Sequence, residues 1–249
     1  MSHLQELALP SACKANKGER VLAEQSHIKF QDRDEAVNKL LEVMSLRHLN
    51  LEESVFIATS FDGLYFANSL AQKLKVRLDY LFTKAIFAPL NPECQIAIVS
   101  EELDIVINEE LIHSFGISLD YVYGEAKRQY EEGIIPKRYK YRKGEPLSLL
   151  KNKDVFLIDQ GIETGLTALC GIKTCVNLHA RSVRIAVPIL PTSLRMILNQ
   201  VCDEVLYVEM IENFVSVGHY YKQLEPIPTK QVEQILDQCL QTNTKDMNQ

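Results

Sequence analysis

Residues 155–167 read Val-Phe-Leu-Ile-Asp-Gln-Gly-Ile-Glu-Thr-Gly-Leu-Thr, and the fold prediction starts from them. The continuous apolar run from Val155 to Ile158 predicts a central parallel strand that is covered on both faces. A short polar loop follows this strand, and the spacing of Leu166 and Leu169 then predicts the start of a helix. The stretch therefore predicts a strand, a loop and a helix in direct succession.

The predicted loop has the chemistry of an anion site. It lies at the carboxyl end of a strand, where open α/β sheets bind their ligands. The helix N-terminus offers free N–H groups and a positive dipole end to an anion. Gly165 allows the backbone to come close to a phosphate, and Thr164 and Thr167 add hydroxyl groups. The alternative interpretation is an ordinary strand-turn-helix unit with a capped helix.

Composition narrows the class of protein. The chain has 249 residues, 46% of them apolar, and a net charge of −6. This length and apolar content fit one α/β domain, and the acidic balance argues against binding nucleic acid through overall charge. No apolar run reaches the roughly 18 residues of a membrane span, and no secretory signal pattern is present. Six scattered cysteines without CxxC spacing predict reduced thiols in a cytoplasmic protein.

The rest of the chain alternates predicted strands with predicted helices. Apolar runs predict strands at about 55–59, 78–81, 95–99, 105–107, 183–188 and 204–208, with a turn-rich loop at 88–93. Periodic patterns predict helices at about 36–44, 64–74, 108–115, 119–132, 166–178, 191–200 and 230–239. This alternation predicts a mostly parallel central sheet with helices on both faces. Residues 1–26 are expected to be a flexible or loosely docked extension, residues 27–241 the domain, and residues 242–249 a tail.

Residues 137–143 interleave five cations with two tyrosines. One interpretation is a solvated surface connection. The other is an anion-facing loop, directed at a substrate phosphate or at nucleic acid. The acidity of the chain and the phosphate-type loop downstream favour a small anion.

The stretch 155–167 resembles the phosphoribosyl pyrophosphate (PRPP) motif of type I phosphoribosyltransferases, which has four apolar residues, two acids and a loop ending Thr-Gly-x-Thr. The resemblance covers about residues 28–240, including the segments 88–93 and 214–218, and is nearest to a bacterial branch of predicted phosphoribosyltransferases. It implies a type I phosphoribosyltransferase-like α/β fold with a small hood. The implied reaction transfers 5-phosphoribosyl from PRPP to a nitrogenous base and releases pyrophosphate.

The resemblance also implies roles for the motif residues. Asp159 matches the first acid, which hydrogen-bonds the ribose hydroxyls, and Gln160 replaces the second acid beside it. The positions that match the 5-phosphate loop are Thr164, Gly165, Leu166 and Thr167. Mg²⁺ would be held mainly by PRPP oxygens, so no protein metal ligands are expected. Implied partners are PRPP, a nucleobase or nucleoside monophosphate, and a second copy in a homodimer, with no nucleic acid and no membrane.

The pyrophosphate side departs from the family pattern. The residues that match this side are Ser60, Phe61, Asp62, Gly63, Lys84 and Arg138. The related branch usually reads Pro-Arg-Gly-Gly at 60–63, so a cation is replaced by Phe61 and a glycine by Asp62. An acid facing pyrophosphate would be repulsive. The alternative interpretation is harmless drift, with compensation from Arg138, Lys140 or Arg142.

Three residues are candidates at the base end. Glu163 occupies the position where hypoxanthine-guanine enzymes carry an acid that faces the base, which implies a general base. Its alternative is a loop glutamate without a catalytic role. Phe214 and Tyr220 follow the last predicted strand and are candidates to stack on a base, or to pack in a lid.

Two classes of function remain. One is an active phosphoribosyltransferase, favoured by Asp159 and Glu163. The other is a catalytically impaired protein that binds a phosphoribosyl ligand or nucleotide as a sensor, favoured by the changes at 60–62 and at Gln160. We expect the enzyme.

Overall fold

The computed structural model describes residues 27–47 and 49–246. The predicted extension, residues 1–26, lies outside the described residues. The described part of the chain contains strands β1 (Ser54–Ala58), β2 (Arg77–Tyr80), β3 (Thr83–Ala88), β4 (Asn91–Ser100), β5 (Ile105–Ile107), β6 (Asp154–Ile158), β7 (Ser182–Pro191) and β8 (Glu204–Ile211). Its α-helices are α1 (Arg33–Ser45), α2 (Phe61–Leu74), α3 (Glu109–Ser114), α4 (Leu119–Gln129), α5 (Ile135–Arg142), α6 (Leu166–Asn177), α7 (Thr192–Val201) and α8 (Thr229–Asp246).

Five strands form a parallel sheet in the order β2-β1-β6-β7-β8. The predicted mostly parallel central sheet is therefore confirmed. The strand of the PRPP-like motif, β6, lies at the centre of this order. Its residues are buried throughout, as the continuous apolar run predicts.

The sheet separates two hydrophobic layers because successive side chains of a strand point to opposite faces. Phe56 and Phe156 belong to the larger layer, which also includes residues of α1, α2 and α8. Val155 and Leu157 belong to the other layer, with residues of α6 and α7. Helices therefore cover both faces.

A second sheet, in the order β3-β4-β5, is antiparallel. It packs on α6 through Ile98, which clusters with Leu166 and Cys170. Only the two residues 81 and 82 separate β2 from β3. Without a Gly or Pro turn signal there, the pattern does not predict β3, and the predicted loop at 88–93 is instead the tip of a hairpin.

The cation-rich segment is helical. Residues 119–142 form α4, a π-helical turn (Tyr130–Ile134) and α5 in succession. Pro136 lies in the first turn of α5, directly after the π-helical turn. The prediction of a loop at 137–143 is wrong, because residues 137–142 belong to α5 and Lys143 is its C-cap.

The C-terminal helix extends beyond the predicted domain end. Helix α8 continues to Asp246, and Asn243 is buried. Before it, the segment 212–221 contains a short 3₁₀ helix at Val217–Tyr220. Among residues 27–47 and 49–246, no helix combines the length and apolar character that a bilayer crossing requires.

Candidate functional site

A cavity of about 230 Å³ lies where β1 and β6 end. The loop 159–165 lines it, together with Thr59 and Ser60, which follow β1. Thr167 and Ala168 contribute the first turn of α6. The cavity therefore occupies the carboxyl edge of the parallel sheet, as the sequence predicts for a ligand site.

The N-terminus of α6 is open towards this cavity. Gly165 precedes the helix with a left-handed backbone (φ +80°), and no side chain caps the helix. Thr164 Oγ1 accepts a long hydrogen bond of 3.5 Å from the Leu166 N–H. By contrast, α1 and α2 are capped by Asp32 and Ser60 at 2.9 Å and 2.8 Å. The first N–H groups of α6 are thus available to an anion.

Asp159 joins the ends of two strands. Its Oδ2 accepts a hydrogen bond from Thr59 Oγ1 at 2.7 Å, and its Oδ1 accepts one from Ser60 Oγ at 2.6 Å. The Gln160 N–H also donates to Oδ1, at 2.7 Å. Burial raises the pKa of Asp159, and these hydrogen bonds oppose the shift. A carboxylate accepts about four hydrogen bonds, so capacity remains for a ligand hydroxyl.

Gln160 has an unused side-chain acceptor. Its Oε1 is buried and has no hydrogen-bond partner, while its backbone oxygen accepts from Tyr221 Oη at 3.1 Å. Since a buried polar atom without a partner is costly, Oε1 is a candidate to accept a hydroxyl from a ligand. Gln160 lines the cavity beside Asp159, where the resemblance implies the ribose.

Glu163 is exposed at the cavity and holds the C-terminal segment. Its Oε1 accepts a hydrogen bond of 3.0 Å from the Val217 N–H. Val217 also lines the cavity and packs on Gly161, where an added Cβ would lie 2.7 Å from Val217 Cγ2. One carboxylate oxygen of Glu163 is therefore occupied by the protein, and Oε2 is left for a ligand.

The structure places only some of the pyrophosphate-side residues at the cavity. Ser60 lines the cavity, but Phe61 stacks on Tyr80 with ring centroids 5.1 Å apart. Asp62 pairs with Arg33 at 2.9 Å and accepts the N–H of Ile227 at 3.0 Å. The Asp62 carboxylate is thus held by partners in α1 and before α8, although its charge still contributes to raising the pKa of Asp159.

A glycine is required at position 63 because the first turn of α2 closely approaches Asp159 at the end of β6. A Cβ at Gly63 would lie 2.6 Å from Asp159 Oδ1, so a side chain would displace the carboxylate. Lys84 and Arg138 lie on β3 and α5 and do not line the cavity.

Two of the three candidate compensating cations form ion pairs elsewhere in the protein. Arg142 is buried and forms ion pairs with Asp79 and Glu101. Lys140 pairs with Glu233 at 2.8 Å. Neither is available to a ligand, because each is neutralised by an acid from a distant part of the chain.

The base-stacking candidates pack against the protein. Tyr220 is buried, and its hydroxyl donates to Asn213 O and accepts the Val215 N–H. Phe214 stacks on Tyr220 with centroids 5.8 Å apart. Neither ring lines the cavity, and both pack within the 212–221 segment, which agrees with the alternative that they pack in a lid rather than stack on a base.

Two polar cavity residues were not predicted from sequence. Thr59 lies beside Asp159 because β1 and β6 pair in register, with Ala58 opposite Ile158. If β1 and β6 had been predicted to be neighbours in the parallel sheet, the adjacency of their carboxyl ends would have predicted this contact. Gln95 of β4 also lines the cavity, but nothing local marks it, because the fold of the second sheet brings it there.

The model of the phosphoribosyl transferase domain family matches residues 30–222. Two Mycobacterium tuberculosis proteins are each 25% identical over 211 residues: Putative phosphoribosyl transferase MT0597 (strain CDC 1551 / Oshkosh) and Putative phosphoribosyl transferase Rv0571c (strain ATCC 25618 / H37Rv). The match covers 84% of this chain and 47% of each relative, so the chain spans about half of their length.

A solved structure shares the fold. The crystal structure of TT1426 from Thermus thermophilus superposes with a TM-score of 0.68 at 26% identity, covering 86% of this chain and 99% of that one. The family match spans most of the chain and includes β1, β6, the cavity loop and Val217. The chain belongs to the phosphoribosyl transferase domain family.

Proposed function

We propose that this protein transfers 5-phosphoribosyl from PRPP to a nitrogenous base with release of pyrophosphate. The observation that carries the proposal is the cavity itself, in which the open N-terminus of α6 lies beside the carboxylate of Asp159. The α6 end suits a 5-phosphate, with Thr164, Gly165, Leu166 and Thr167 as its loop. Asp159 and Gln160 suit the ribose hydroxyls. The names of the relatives in Mycobacterium tuberculosis support the same class of reaction.

The reaction needs charge stabilisation more than covalent chemistry. Displacement of pyrophosphate from the sugar passes through a cation-like state, so a positioned carboxylate lowers its energy. Asp159 is suited to this because its side chain is held by Thr59 and Ser60. Glu163 Oε2 is suited to accept a proton from the incoming base.

Mg²⁺ is part of the proposal. The described residues contain no group of three or more His, Cys, Asp or Glu side chains that would hold a metal ion. An ion held mainly by PRPP oxygens and water would need few protein ligands, and Asp159 and the unpartnered Gln160 Oε1 are the groups that would hold it. Bound there, the ion would neutralise charge on the leaving pyrophosphate.

The test is magnesium-dependent release of pyrophosphate from PRPP across a panel of nucleobases. We expect release that requires one base and that is lost in Asp159→Asn. Lys127→Met, an exposed change on α4, should leave the rate unchanged. Absence of base-dependent release for every base tested would contradict the transferase.

The second candidate is a phosphoribosyl or nucleotide sensor without turnover. One observation favours it: in the described part of the chain, the residues that line the cavity include two carboxylates and no lysine or arginine. Calorimetry with nucleoside 5′-monophosphates and with PRPP separates the candidates. Tight binding of a monophosphate without turnover of PRPP would support the sensor.

A further inference from the structure

Gln95 lines the cavity from the second sheet, because it belongs to β4. Its side chain is half-buried, and Nε2 donates a hydrogen bond to the backbone oxygen of Ala97 at 3.3 Å. An amide nitrogen carries two N–H groups, so one of them remains for a second acceptor. Gln95 therefore keeps an N–H donor that the contact with Ala97 does not use.

A β-bulge turns Gln95 towards α6. Between two successive pairs with β3, the strand β4 holds one extra residue, Ile96. Ile96 and Ala97 both belong to the larger hydrophobic layer, although consecutive residues of a regular strand point to opposite faces. A bulge breaks this alternation and redirects the side chains that follow it, often beside a functional site. Gln95 therefore shares the face of Ile98, which packs on α6.

The strand β4 runs along α6 towards the start of that helix. Thr174 Oγ1 donates to Ser100 Oγ at 2.9 Å, and Ile98 packs on the first two turns of α6. From Ser100 back to Gln95 the strand spans about 13–16 Å, allowing for the bulge. The helix spans only about 12 Å from Thr174 back to Leu166. Gln95 therefore lies at the N-terminus of α6, in agreement with its place in the cavity lining.

We propose that Gln95 donates a hydrogen bond to a phosphate bound at the N-terminus of α6. Within the described part of the chain, the cavity lining contains no lysine or arginine, so neutral donors and the helix end would bind the phosphate. The remaining N–H of Gln95 adds a donor from the second sheet to those of the loop 164–167. The ligand class is a phosphomonoester, because the end of one helix suits one phosphoryl group.

This role deepens the proposed function without requiring catalysis. As a contact to the 5-phosphate of PRPP, it rests on the proposed function. As a contact to any phosphomonoester at α6, it is measured by binding alone. Ribose 5-phosphate is the suitable probe, because it carries the phosphate and the sugar but no leaving group.

The experiment is calorimetric titration of the full chain with ribose 5-phosphate. Gln95→Leu removes the donor at similar size, so the affinity should fall about three- to tenfold, as expected for one hydrogen bond. Gln95→Glu places a carboxylate beside the phosphate, so the affinity near neutral pH should fall more than about tenfold. Gln72→Glu, at an exposed position of α2, adds the same charge and is the matched control. It should bind as the wild type does.

The pH dependence separates this role from a structural one. The affinity ratio of wild type to Gln95→Glu should shrink below about pH 5, where a glutamate becomes protonated and neutral. If Gln95 only holds the backbone at Ala97, its variants should lower the melting temperature and leave the affinity unchanged. That result, or no binding of ribose 5-phosphate by the wild type, would overturn the proposal.

Pyrophosphate release from PRPP is measured in parallel with the titrations. Binding that depends on Gln95 without base-dependent release would leave this contact in place and contradict the transferase alone. Base-dependent release together with equal ribose 5-phosphate affinities in wild type and Gln95→Leu would contradict the contact alone.

Discussion

At the scale of single residues, Asp159 is a partly buried carboxylate whose ionised form is unfavourable for folding. Three protein donors converge on it from the ends of β1 and β6, at 2.6–2.7 Å. Burial nevertheless raises its pKa, so the ionised form is less favourable in the folded protein than in the unfolded chain. The role proposed for Asp159 and the stability of the fold are therefore opposed at this position.

We expect Asp159→Asn to lose PRPP binding and turnover while keeping or gaining stability. An amide can replace the carboxylate in this network, since the hydroxyls of Thr59 and Ser60 both donate and accept. Above the raised pKa the wild type carries the penalty of ionisation, which diminishes as pH falls below that pKa and is absent below the pKa of the unfolded chain. The stability advantage of the variant should therefore shrink in acid. Urea denaturation over a pH series measures this, and a large loss of stability at neutral pH would contradict it.

Two glycines should respond oppositely to the same change. Gly165 has φ +80°, where a side chain costs about 1–2 kcal/mol, so Gly165→Ala should lower stability and weaken ligand binding. Gly124 lies in α4 with open space around it, and Gly124→Ala should raise stability by about 0.5–1 kcal/mol. Thermal unfolding with and without ribose 5-phosphate compares them. Equal shifts would mean that the backbone at Gly165 is not constrained.

At the scale of elements, α5 is anchored by one buried cation. Arg142 connects its end to Asp79 at the end of β2 and to Glu101 after β4. Glu101 also accepts the Phe82 N–H at 3.0 Å, and the Arg142 guanidinium lies 5.0 Å from the Phe82 ring centroid. This cluster holds the C-terminal end of α5 against β2 and the residue that follows β4.

Arg142→Met should be strongly destabilising. It leaves two buried carboxylates without their cation, for which a loss of about 3–5 kcal/mol is typical. Arg128→Met on α4 is the matched control: that arginine pairs with Glu125 and Glu132 at the surface, and its removal should have little effect. Urea denaturation gives both free energies of unfolding. Similar values for the two variants would contradict the anchoring role.

The contact between Glu163 and Val217 links the cavity loop to the 212–221 segment. Glu163→Gln keeps an acceptor for the Val217 N–H, so ligand affinity and protection of that amide from hydrogen exchange should persist. Turnover should fall roughly 10²–10⁴-fold if the carboxylate accepts a proton from the base. Glu163→Ala should lose both the contact and the activity. Full activity of Glu163→Gln would restrict Glu163 to holding the segment.

At the scale of the whole molecule, the C-terminal helix completes a polar cluster at the sheet edge. Asn243 Nδ2 donates to Ser148 Oγ at 3.1 Å and to Asp79 Oδ2 at 3.3 Å, and its Oδ1 accepts from Arg77 at 2.7 Å. These contacts join α8 to β2 and to the loop before β6, although residue 243 falls in the segment predicted as a tail.

Truncation after residue 241 should therefore destabilise the whole domain. The loss of Asn243 removes one hydrogen bond to Asp79 and leaves the half-buried Arg77 Nε without its acceptor, which costs about 1–3 kcal/mol. Asn243→Ala in the full chain should reproduce most of that loss, whereas Gln241→Ala, at an exposed position, should not. Chemical denaturation of the three proteins tests this. A truncated chain as stable as the full one would show that the cluster contributes little.

The local sequence pattern was sufficient to predict most of the strands and helices. The run 155–158 and the spacing after Gly165 predict β6 and α6 because burial and helix periodicity are written within a few residues. The same holds for the helix over 36–44, whose apolar positions lie on one face of α1. The sequence pattern did not predict β3, because the strand mixes buried, half-buried and exposed residues and no turn residue separates it from β2.

The amino-acid sequence alone thus predicted most strands and helices and the loop proposed to bind an anion, since these patterns are written within short stretches of chain. Which partners the charged and aromatic side chains contact was decided by the tertiary structure. Arg142 turned inward to acids 41 and 63 residues away, Asp62 turned to Arg33, and Tyr220 packed under its own segment. Pairing through space decides such choices, because burying a charge or a hydroxyl is favourable only where the folded chain supplies its partner.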